Sequence, residues 1–207
     1  CKASGKSHFK ELNEYIEKNV DIATIQETNS ESQLFPLSTA FQHFHCTKHQ
    51  TCCIVRNSTG TWEQLMFNAY LPEMRGVCII YSESLKCIVG SIWLNHTYNK
   101  KQNAIIHILK WIYSAKPNCE RILLGMDAND NHRELANFKF TLPNGLQIYN
   151  KASDMQTCCE DTDYSFFGDY VMDSQKEGQC AYIVPWSERN KQCYGDHLGL
   201  VYNTKFN

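Results

Sequence analysis

The sequence lacks any apolar run that approaches the roughly 20 residues needed to cross a membrane as a helix. It also lacks a strong charge of either sign, because the formal net charge of its 207 residues is −2. Such a chain cannot coat a nucleic acid through overall basicity, so a polyanionic substrate must be met locally or through a metal ion. Residues 1–9 are small and polar and show no signal-peptide pattern.

The spacing typical of structural zinc sites is also missing, although cysteine is abundant. The chain has 11 cysteines, and no CxxC pair is matched by a second Cys or His pair. Cys52, Cys53 and Cys78 stand in apolar, strand-like runs, which favours a reducing compartment over a secreted disulfide framework. We therefore expect an intracellular protein, with the nucleus as one location. Secretion stays open, since glycosylation sequons begin at Asn57 and Asn95.

Helix-like and strand-like segments alternate along the chain. Apolar residues recur at helical spacing in residues 8–18 and 102–115. Short apolar runs bounded by turn residues predict strands at 20–25, 52–55, 75–81, 86–94, 121–126, 170–172, 181–184 and 198–202. The histidine-rich stretch 43–49 fits no zinc spacing and is interpreted as a surface loop. No linker or repeat interrupts the alternation, so we predict a single α/β domain over residues 1–207.

Polar residues of one chemical type stand where several predicted strands end or begin. Four such clusters occur: Gln26-Glu27, Asp127-Ala128-Asn129, Asp169, and Asp196-His197. Strand ends are stiff, so carboxylates placed there can converge on one rim and bind Mg²⁺ through hard oxygen ligands. Carboxylates, an amide and a histidine at such a rim can neutralise a phosphodiester, position a water and donate to phosphate oxygens.

The order of these clusters resembles that of the endonuclease/exonuclease/phosphatase superfamily, which has the deoxyribonuclease-like fold. The resemblance runs from about Phe9 to Tyr202 and rests on four motifs: Ile25-Gln26-Glu27-Thr28, Gly125-Met126-Asp127-Ala128-Asn129, Asp169-Tyr170 and Gly195-Asp196-His197. It implies a four-layer α/β sandwich in which two packed mixed β-sheets are flanked by helices. It also implies a hydrolase that uses Mg²⁺, with Mn²⁺ as a substitute ion.

The resemblance further implies a role for each matching residue. Metal binding falls to Glu27 and Asp196. Catalytic roles fall to Asp127, which would position the attacking water, and to His197, which Asp169 would orient. Phosphate or substrate binding falls to Asn129, Arg75 and Asn95. A catalytic position that faces the phosphate falls to His96, or to Trp93 if the strand register differs.

Two departures from the superfamily pattern stand out. Gly195 occupies a position where members usually have serine, which removes one hydroxyl and leaves the Asp-His pair. The superfamily's first strand, which carries an asparagine beside the metal, has no counterpart before the helix at residues 8–18. We therefore expect this strand to be either truncated or lost, which bears on the affinity for the metal because its asparagine stands beside the ion.

Within the superfamily, the chain is most similar to endonucleases of LINE-type retroelements. The similarity rests on the short domain, on the phrase Gly-Met-Asp-Ala-Asn and on the segment from Trp186 to Val201. It implies an enzyme that nicks DNA, does not act at a membrane, and is part of a polyprotein with a reverse transcriptase. Two alternatives stay open: a phosphatase or phosphodiesterase acting on lipid or inositol phosphates, and an inactive binding module of the same fold.

Overall fold

The computed structural model describes residues 6–28, 38–46, 51–68, 71, 74–95, 100–130, 133–152, 168–182 and 200–205. Two helices occur in these residues, α1 (Lys6–Asn19) and α2 (Lys101–Ala115). The strands are β1 (Ile22–Gln26), β2 (Phe41–His45), β3 (Thr51–Arg56), β4 (Glu63–Leu65), β5 (Met74–Ser82), β6 (Cys87–Leu94), β7 (Arg121–Asp127), β8 (Lys139–Thr141), β9 (Gln147–Asn150), β10 (Asp169–Asp173), β11 (Gln179–Tyr182) and β12 (Leu200–Asn203).

The larger sheet has seven strands in the order β4-β5-β6-β7-β10-β9-β8. It is mixed, because β6 and β7 pair in parallel while their outer neighbours pair antiparallel. A parallel pair needs a crossover connection, and α2 supplies it between β6 and β7. The buried face of α2 presents Ile105, Leu109 and Ile112, which share one apolar cluster with Ile92 and Leu124 of the sheet.

The smaller sheet has three antiparallel strands in the order β1-β3-β2. Its outer face packs against α1 through Leu12 and Ile16, which lie in one cluster with Ile54. Its inner face packs against the seven-stranded sheet, where Val55 shares a cluster with Val89. The layers are therefore α1, the small sheet, the large sheet and α2, which confirms the predicted four-layer sandwich.

A third pairing joins β11 to β12, and hydrogen bonds to a buried ion pair of the large sheet fasten the end of β12 to that sheet. Arg121, the first residue of β7, lies 2.7 Å from Asp173 of β10. The guanidinium also donates to Thr204 Oγ1 and to the Lys205 carbonyl, and the Tyr202 hydroxyl donates to Asp173. The residues after β12 thus contact the first residue of β7. The first residue of β12 therefore lies toward the last residue of β7.

Most elements match the sequence-based predictions. Both helices are confirmed, and the strands predicted between residues 20 and 172 begin and end within two residues of β1, β3, β5, β6, β7 and β10. Residues 183–184 and 198–199 of the last two predicted strands lie outside the described residues. The interpretation of 43–49 as a surface loop is wrong for its first residues, because β2 pairs with β3. Phe44 and Cys46 pack between the sheets, which gives this stretch a buried side.

The cysteines that the structure describes are free thiols, and all of them except Cys180 are buried. Burial disfavours the thiolate and raises the pKa of the Cys87 thiol to about 12. They behave as small apolar residues in the core. No helix in the described part of the chain is long and apolar enough to span a bilayer.

Candidate active site

Three neighbouring strands of the large sheet bring their side chains into one row at a rim of the sandwich. Asp127, the last residue of β7, is in register with Trp93 of β6 on one side and with Asp169 of β10 on the other. Residues in register point to the same face of a sheet, so these three side chains stand side by side. That face is turned toward the small sheet, because Gly125, two residues before Asp127, lies against Thr24 of β1.

The two carboxylates of this row are directly opposed and nearly buried. Asp127 is 3% exposed and Asp169 is 7% exposed. The Ala128 amide donates to the Gly168 carbonyl over 2.7 Å, which closes the two strand ends onto each other. Like charges placed directly opposite in a sheet are destabilising, and burial strengthens their repulsion. The position of the two carboxylates is therefore favourable only where other groups at the rim offset this repulsion.

The end of β1 is clamped to the large sheet by a buried side-chain bridge. The Gln26 amide donates to Ser91 Oγ over 3.0 Å and to the Gly125 carbonyl over 3.2 Å. The Ser91 hydroxyl in turn donates to the Ile25 carbonyl over 2.9 Å. A side chain at position 125 is excluded, since its Cβ would stand 1.9 Å from Thr24 Oγ1. The two sheets thus approach closely here, with β1 and β7 ending at the same rim.

Glu27 follows this clamp directly and turns the chain away from the strand. Its φ of 58° lies in the left-handed region, which non-glycine residues rarely adopt. Such a conformation persists only where the surroundings fix it, and the Gln26 bridge is the local element that does so. Glu27 is half-buried and stands at the rim that carries Asp127.

Asn129 is held beside Asp127 by hydrogen bonds from its backbone and from its side chain. Its amide N–H donates to Asp127 Oδ1 over 3.1 Å, and its Nδ2 donates to the Leu94 carbonyl at the end of β6 over 2.9 Å. Its φ of 48° is again left-handed, which asparagine tolerates better than most residues. The side-chain amide is therefore fixed in orientation and retains a second N–H for an acceptor.

The loop after Asn129 is anchored by a buried carboxylate, that of Asp130, whose oxygens accept hydrogen bonds from the loop itself. Asp130 accepts hydrogen bonds from the backbone amides of Glu134 and Leu135, at 3.0 and 2.8 Å. It also accepts from the Tyr170 hydroxyl at 3.0 Å. Burial, followed by the nearby Asp130 charge, raises the pKa of Tyr170, so its hydroxyl remains a donor. Asp130 thereby ties the loop to the residue next to Asp169.

Arg75 and Asn95, both predicted to contact substrate, come together beside Trp93. Arg75 stands in an irregularity of β5 between Met74 and Gly76, where the pairing with β6 shifts register. Its guanidinium lies 3.5 Å from Asn95 Oδ1 and 5.9 Å from the centre of the Trp93 ring. The Arg75 side chain is exposed, which leaves a cation at the edge of the row.

The remaining predicted site residues, His96, Asp196 and His197, lie outside the described residues. Within the ranges that the structure describes, no three His, Cys, Asp or Glu side chains are grouped closely enough to bind a metal ion. Glu27 and Asp196 stay the predicted metal ligands. Leu200, the first residue of β12, lies toward the same end of β7 as this rim.

Sequence reasoning missed two contributions to this rim. Gln26 was named only as part of the Gln26-Glu27 cluster, and Ser91 was given no role. The signal for Gln26 was a polar side chain at the end of an apolar run. Trp93 was named only as the alternative to His96. The register of β6 and β7 places Trp93 directly beside Asp127.

Comparisons with known proteins agree with this architecture. No protein-family model and no curated protein matches the sequence. Among solved structures, the endonuclease/exonuclease/phosphatase from Bacteroides vulgatus is similar, with a TM-score of 0.66 and 10% identity over 97% of this chain and 90% of that chain. D. rerio TDP2 complexed with a single-strand DNA product is similar as well, with a TM-score of 0.63 and 15% identity over 95% of this chain and 92% of that chain.

The endonuclease domain of TRAS1, a telomere-specific non-LTR retrotransposon, is also similar, with a TM-score of 0.60 and 14% identity over 96% of this chain and 93% of that chain. At these identities the similarity concerns the fold and not the substrate. The chain has the fold of the endonuclease/exonuclease/phosphatase proteins.

Proposed function

We propose that this chain is a Mg²⁺-dependent phosphodiesterase that hydrolyses nucleic acid, and specifically a DNA-nicking endonuclease of the retroelement type. The observation that carries the proposal is the opposed pair Asp127 and Asp169, nearly buried at a rim where Glu27 also stands. Carboxylates held together at stiff strand ends can position a water and orient a histidine beside a metal ion.

The residues present fit a magnesium ion, because the donors at the rim are hard carboxylate oxygens on stiff strand ends. Glu27 and Asp196 would hold the ion. When bound, Mg²⁺ supplies charge neutralisation at a phosphate oxygen and at the leaving oxygen. Mn²⁺ would substitute, since it accepts the same oxygen ligands.

The remaining residues position the reacting groups. Asp127 accepts a hydrogen bond from the attacking water, and its own orientation is fixed by the backbone amide of Asn129. The free N–H of the Asn129 amide donates to a phosphate oxygen, because the other N–H is held by the Leu94 carbonyl. His197, oriented by Asp169, stabilises the developing charge as an imidazolium.

Nucleic acid is the substrate class that the similarities favour. The TRAS1 endonuclease domain matches over nearly its whole length, and D. rerio TDP2 has been solved with a single-strand DNA product. The compact domain leaves little length for the inserted loops of lipid or inositol enzymes. As an endonuclease of this type, it would be part of a polyprotein with a reverse transcriptase and would act in the nucleus.

The test is the nicking of supercoiled plasmid DNA in Mg²⁺ and in EDTA, with the wild-type chain and Glu27→Gln. The matched control is Glu120→Gln, the same change at an exposed residue just before the start of β7. We expect EDTA to abolish nicking and Glu27→Gln to lower the rate about 100-fold or more, as for loss of a preorganised stabiliser. Glu120→Gln should nick at the wild-type rate.

Nicking that persists in EDTA would contradict the metal dependence. A folded chain that leaves DNA intact but releases phosphate from inositol phosphates, or cleaves lipid head groups in vesicles, would overturn the nuclease assignment in favour of those substrates. A folded chain that binds DNA and cleaves none of these would identify an inactive binding module.

A further inference from the structure

Trp93 occupies the position next to Asp127 in the row, and it differs from a structural tryptophan in one respect. Its indole Nε1 is buried and has no hydrogen-bond partner among the residues that the structure describes. Buried tryptophans that serve only packing usually pair this N–H, because an unmet donor costs free energy. The side chain keeps part of its surface exposed, although the strand that carries it is otherwise almost entirely buried.

Arg75 reaches the same ring from the neighbouring strand. The residue opposite Trp93 on β5 is Gly76, which has no side chain and leaves the flank of the ring open. The register shift between Met74 and Gly76 makes Arg75 an extra residue, and such bulges redirect a side chain. Its guanidinium lies over the Trp93 ring, 5.9 Å from the centre, and has no acidic partner within the described residues.

We propose that Trp93 and Arg75 form a stacking site for an unpaired base, next to the phosphate that Asp127 serves. The site rests on the proposed function and narrows its substrate class to nucleic acid with an unpaired nucleotide at the cleavage position. Such a nucleotide occurs in single strands, gaps, bulges and frayed ends.

The chemistry of the two side chains favours a base over other ligands. An indole and a guanidinium are both planar groups on which bases stack, and each base contributes through its π face without sequence preference. The guanidinium also neutralises an adjacent backbone phosphate. A paired base is already stacked on its neighbours, so only an unpaired or extruded base can enter such a site.

The test compares two fluorescently labelled single-stranded oligonucleotides that carry the same phosphates. One is a 12-residue strand with all its bases, and the other carries abasic residues at its centre. Binding is measured by fluorescence anisotropy in EDTA, so that no cleavage occurs. We expect the wild-type chain to bind the complete strand about 5- to 100-fold more tightly, which corresponds to one stacked base.

Trp93→Leu should remove most of this preference and leave the affinity for the abasic strand unchanged, whereas Trp93→Phe should keep most of it. The matched control is Trp111→Leu, the same change at a half-buried residue of α2 that packs against Phe67. Arg75→Gln, at an exposed position, should weaken binding of both strands. It should also lower the slope of log affinity against log salt by about 0.7, the value for one phosphate contact on a single strand.

Two results would overturn the proposal. One is an unchanged preference for the complete strand in Trp93→Leu; the other is an equal loss of affinity for both strands, which would make Trp93 a packing residue. If Trp93→Leu does not fold, Arg75→Lys decides, because it keeps the charge but removes the planar group, and it should lower the preference while keeping the salt slope. If the chain nicks plasmid DNA but binds both oligonucleotides equally well, the stacking site is wrong and the nuclease assignment stands. If it binds the complete strand more tightly but cleaves no DNA, the nuclease assignment is wrong and the stacking site stands.

Discussion

The two ends of the β7–β10 pair carry buried acidic residues in opposite surroundings. At one end Asp173 faces Arg121 through two hydrogen bonds of 2.7 and 3.2 Å and accepts a third from Tyr202. At the other end Asp127 faces a second carboxylate, that of Asp169. The first end balances its charge with a side chain of the chain itself. The second end concentrates charge of one sign.

This difference separates a structural carboxylate from a functional one. All three aspartates are buried, so burial alone does not distinguish them. Their contacts do, because Asp173 binds the Arg121 guanidinium whereas strand register pairs Asp127 with Asp169. A buried carboxylate that binds an arginine stabilises the fold, whereas carboxylates that meet at strand ends can orient the groups of a reaction.

The largest effect on stability is expected at the balanced end. Asp173→Asn would leave the Arg121 guanidinium buried without its counter-charge. Breaking a buried ion pair on one side costs about 3–5 kcal/mol of the free energy of unfolding. Urea denaturation followed by circular dichroism measures this loss, and the nicking rate per folded molecule should not change. A loss below about 1 kcal/mol would mean that Arg121 finds other partners, such as Thr204 and the Lys205 carbonyl.

The opposite result is expected at the rim. Asp127→Asn should lower the nicking rate about 100-fold or more, because an amide orients the attacking water less well than a carboxylate. The free energy of unfolding in EDTA should stay the same or rise by up to about 1 kcal/mol, since one of two opposed charges is removed. The new amide oxygen can still accept the hydrogen bond from the Asn129 amide.

A destabilisation of Asp127→Asn comparable to that of Asp173→Asn would contradict the comparison. It would show that Asp127, like Asp173, serves mainly the stability of the fold. Asp169→Asn is the companion variant within the pair, and it should also lower the nicking rate because its carboxylate is proposed to orient His197. Urea denaturation of the three variants side by side is sufficient to decide.

The inter-sheet clamp should affect metal affinity more than maximal rate. Gln26→Leu removes both hydrogen bonds that fix the end of β1, and Glu27 follows at once in the chain. Loss of a residue that orients a metal ligand typically weakens metal binding about 10- to 100-fold. We expect the Mg²⁺ concentration for half-maximal nicking to rise by that factor, while the rate at saturating Mg²⁺ stays near that of the wild type.

Ser91→Ala tests the same clamp from the other sheet. Its effect should be smaller, because the Gln26 amide retains the Gly125 carbonyl as acceptor. The double variant should be no worse than Gln26→Leu alone, since both changes break one network. Equal losses of saturating rate and metal affinity would instead place Gln26 in contact with the substrate.

The sequence predicted the layers and most strands because hydrophobic periodicity reflects burial. In α2 the apolar residues recur at helical spacing on the face that is buried, and the central strands of the large sheet are short apolar runs. β2 was missed because its histidines masked the alternate inward residues Phe44 and Cys46. The short strands β4 and β8 lie at the edges of the large sheet, and the short strand β9 lies between β10 and β8. The pairing of all three depends on neighbouring strands more than on their own residues.

The acidic residues of the site were also visible in the sequence, since each stands at the end of an apolar run. Their grouping was not, because register and the packing of two sheets are long-range properties. The pairing of Asp127 with Asp169 joins two strands that are distant from each other in the sequence. The position of Trp93 required the alignment of β6 with β7. A Gln at the end of β1 gave no sign that its partner was Ser91.

The sharpest test of the rim is expected at Asn129. Asn129→Gly loses the hydrogen bond to the Leu94 carbonyl, about 0.5–1.5 kcal/mol, but glycine accepts the φ of 48° without strain. Asn129→Ala loses the same hydrogen bond and places a Cβ in the left-handed region, which costs about 1–2 kcal/mol more. Urea denaturation should therefore rank wild type, glycine and alanine in that order.

Activity should not follow this ranking. Both variants lack the amide that donates to the phosphate, so both should nick plasmid DNA more slowly by a similar factor of about 10 to 100. The contrary outcome is a glycine variant that nicks as fast as the wild type beside an alanine variant that is slow. Asn129 would then contribute to catalysis through its left-handed backbone, which lets its amide N–H donate to Asp127. The rim would then act through the orientation of its carboxylate and not through an amide that contacts the substrate.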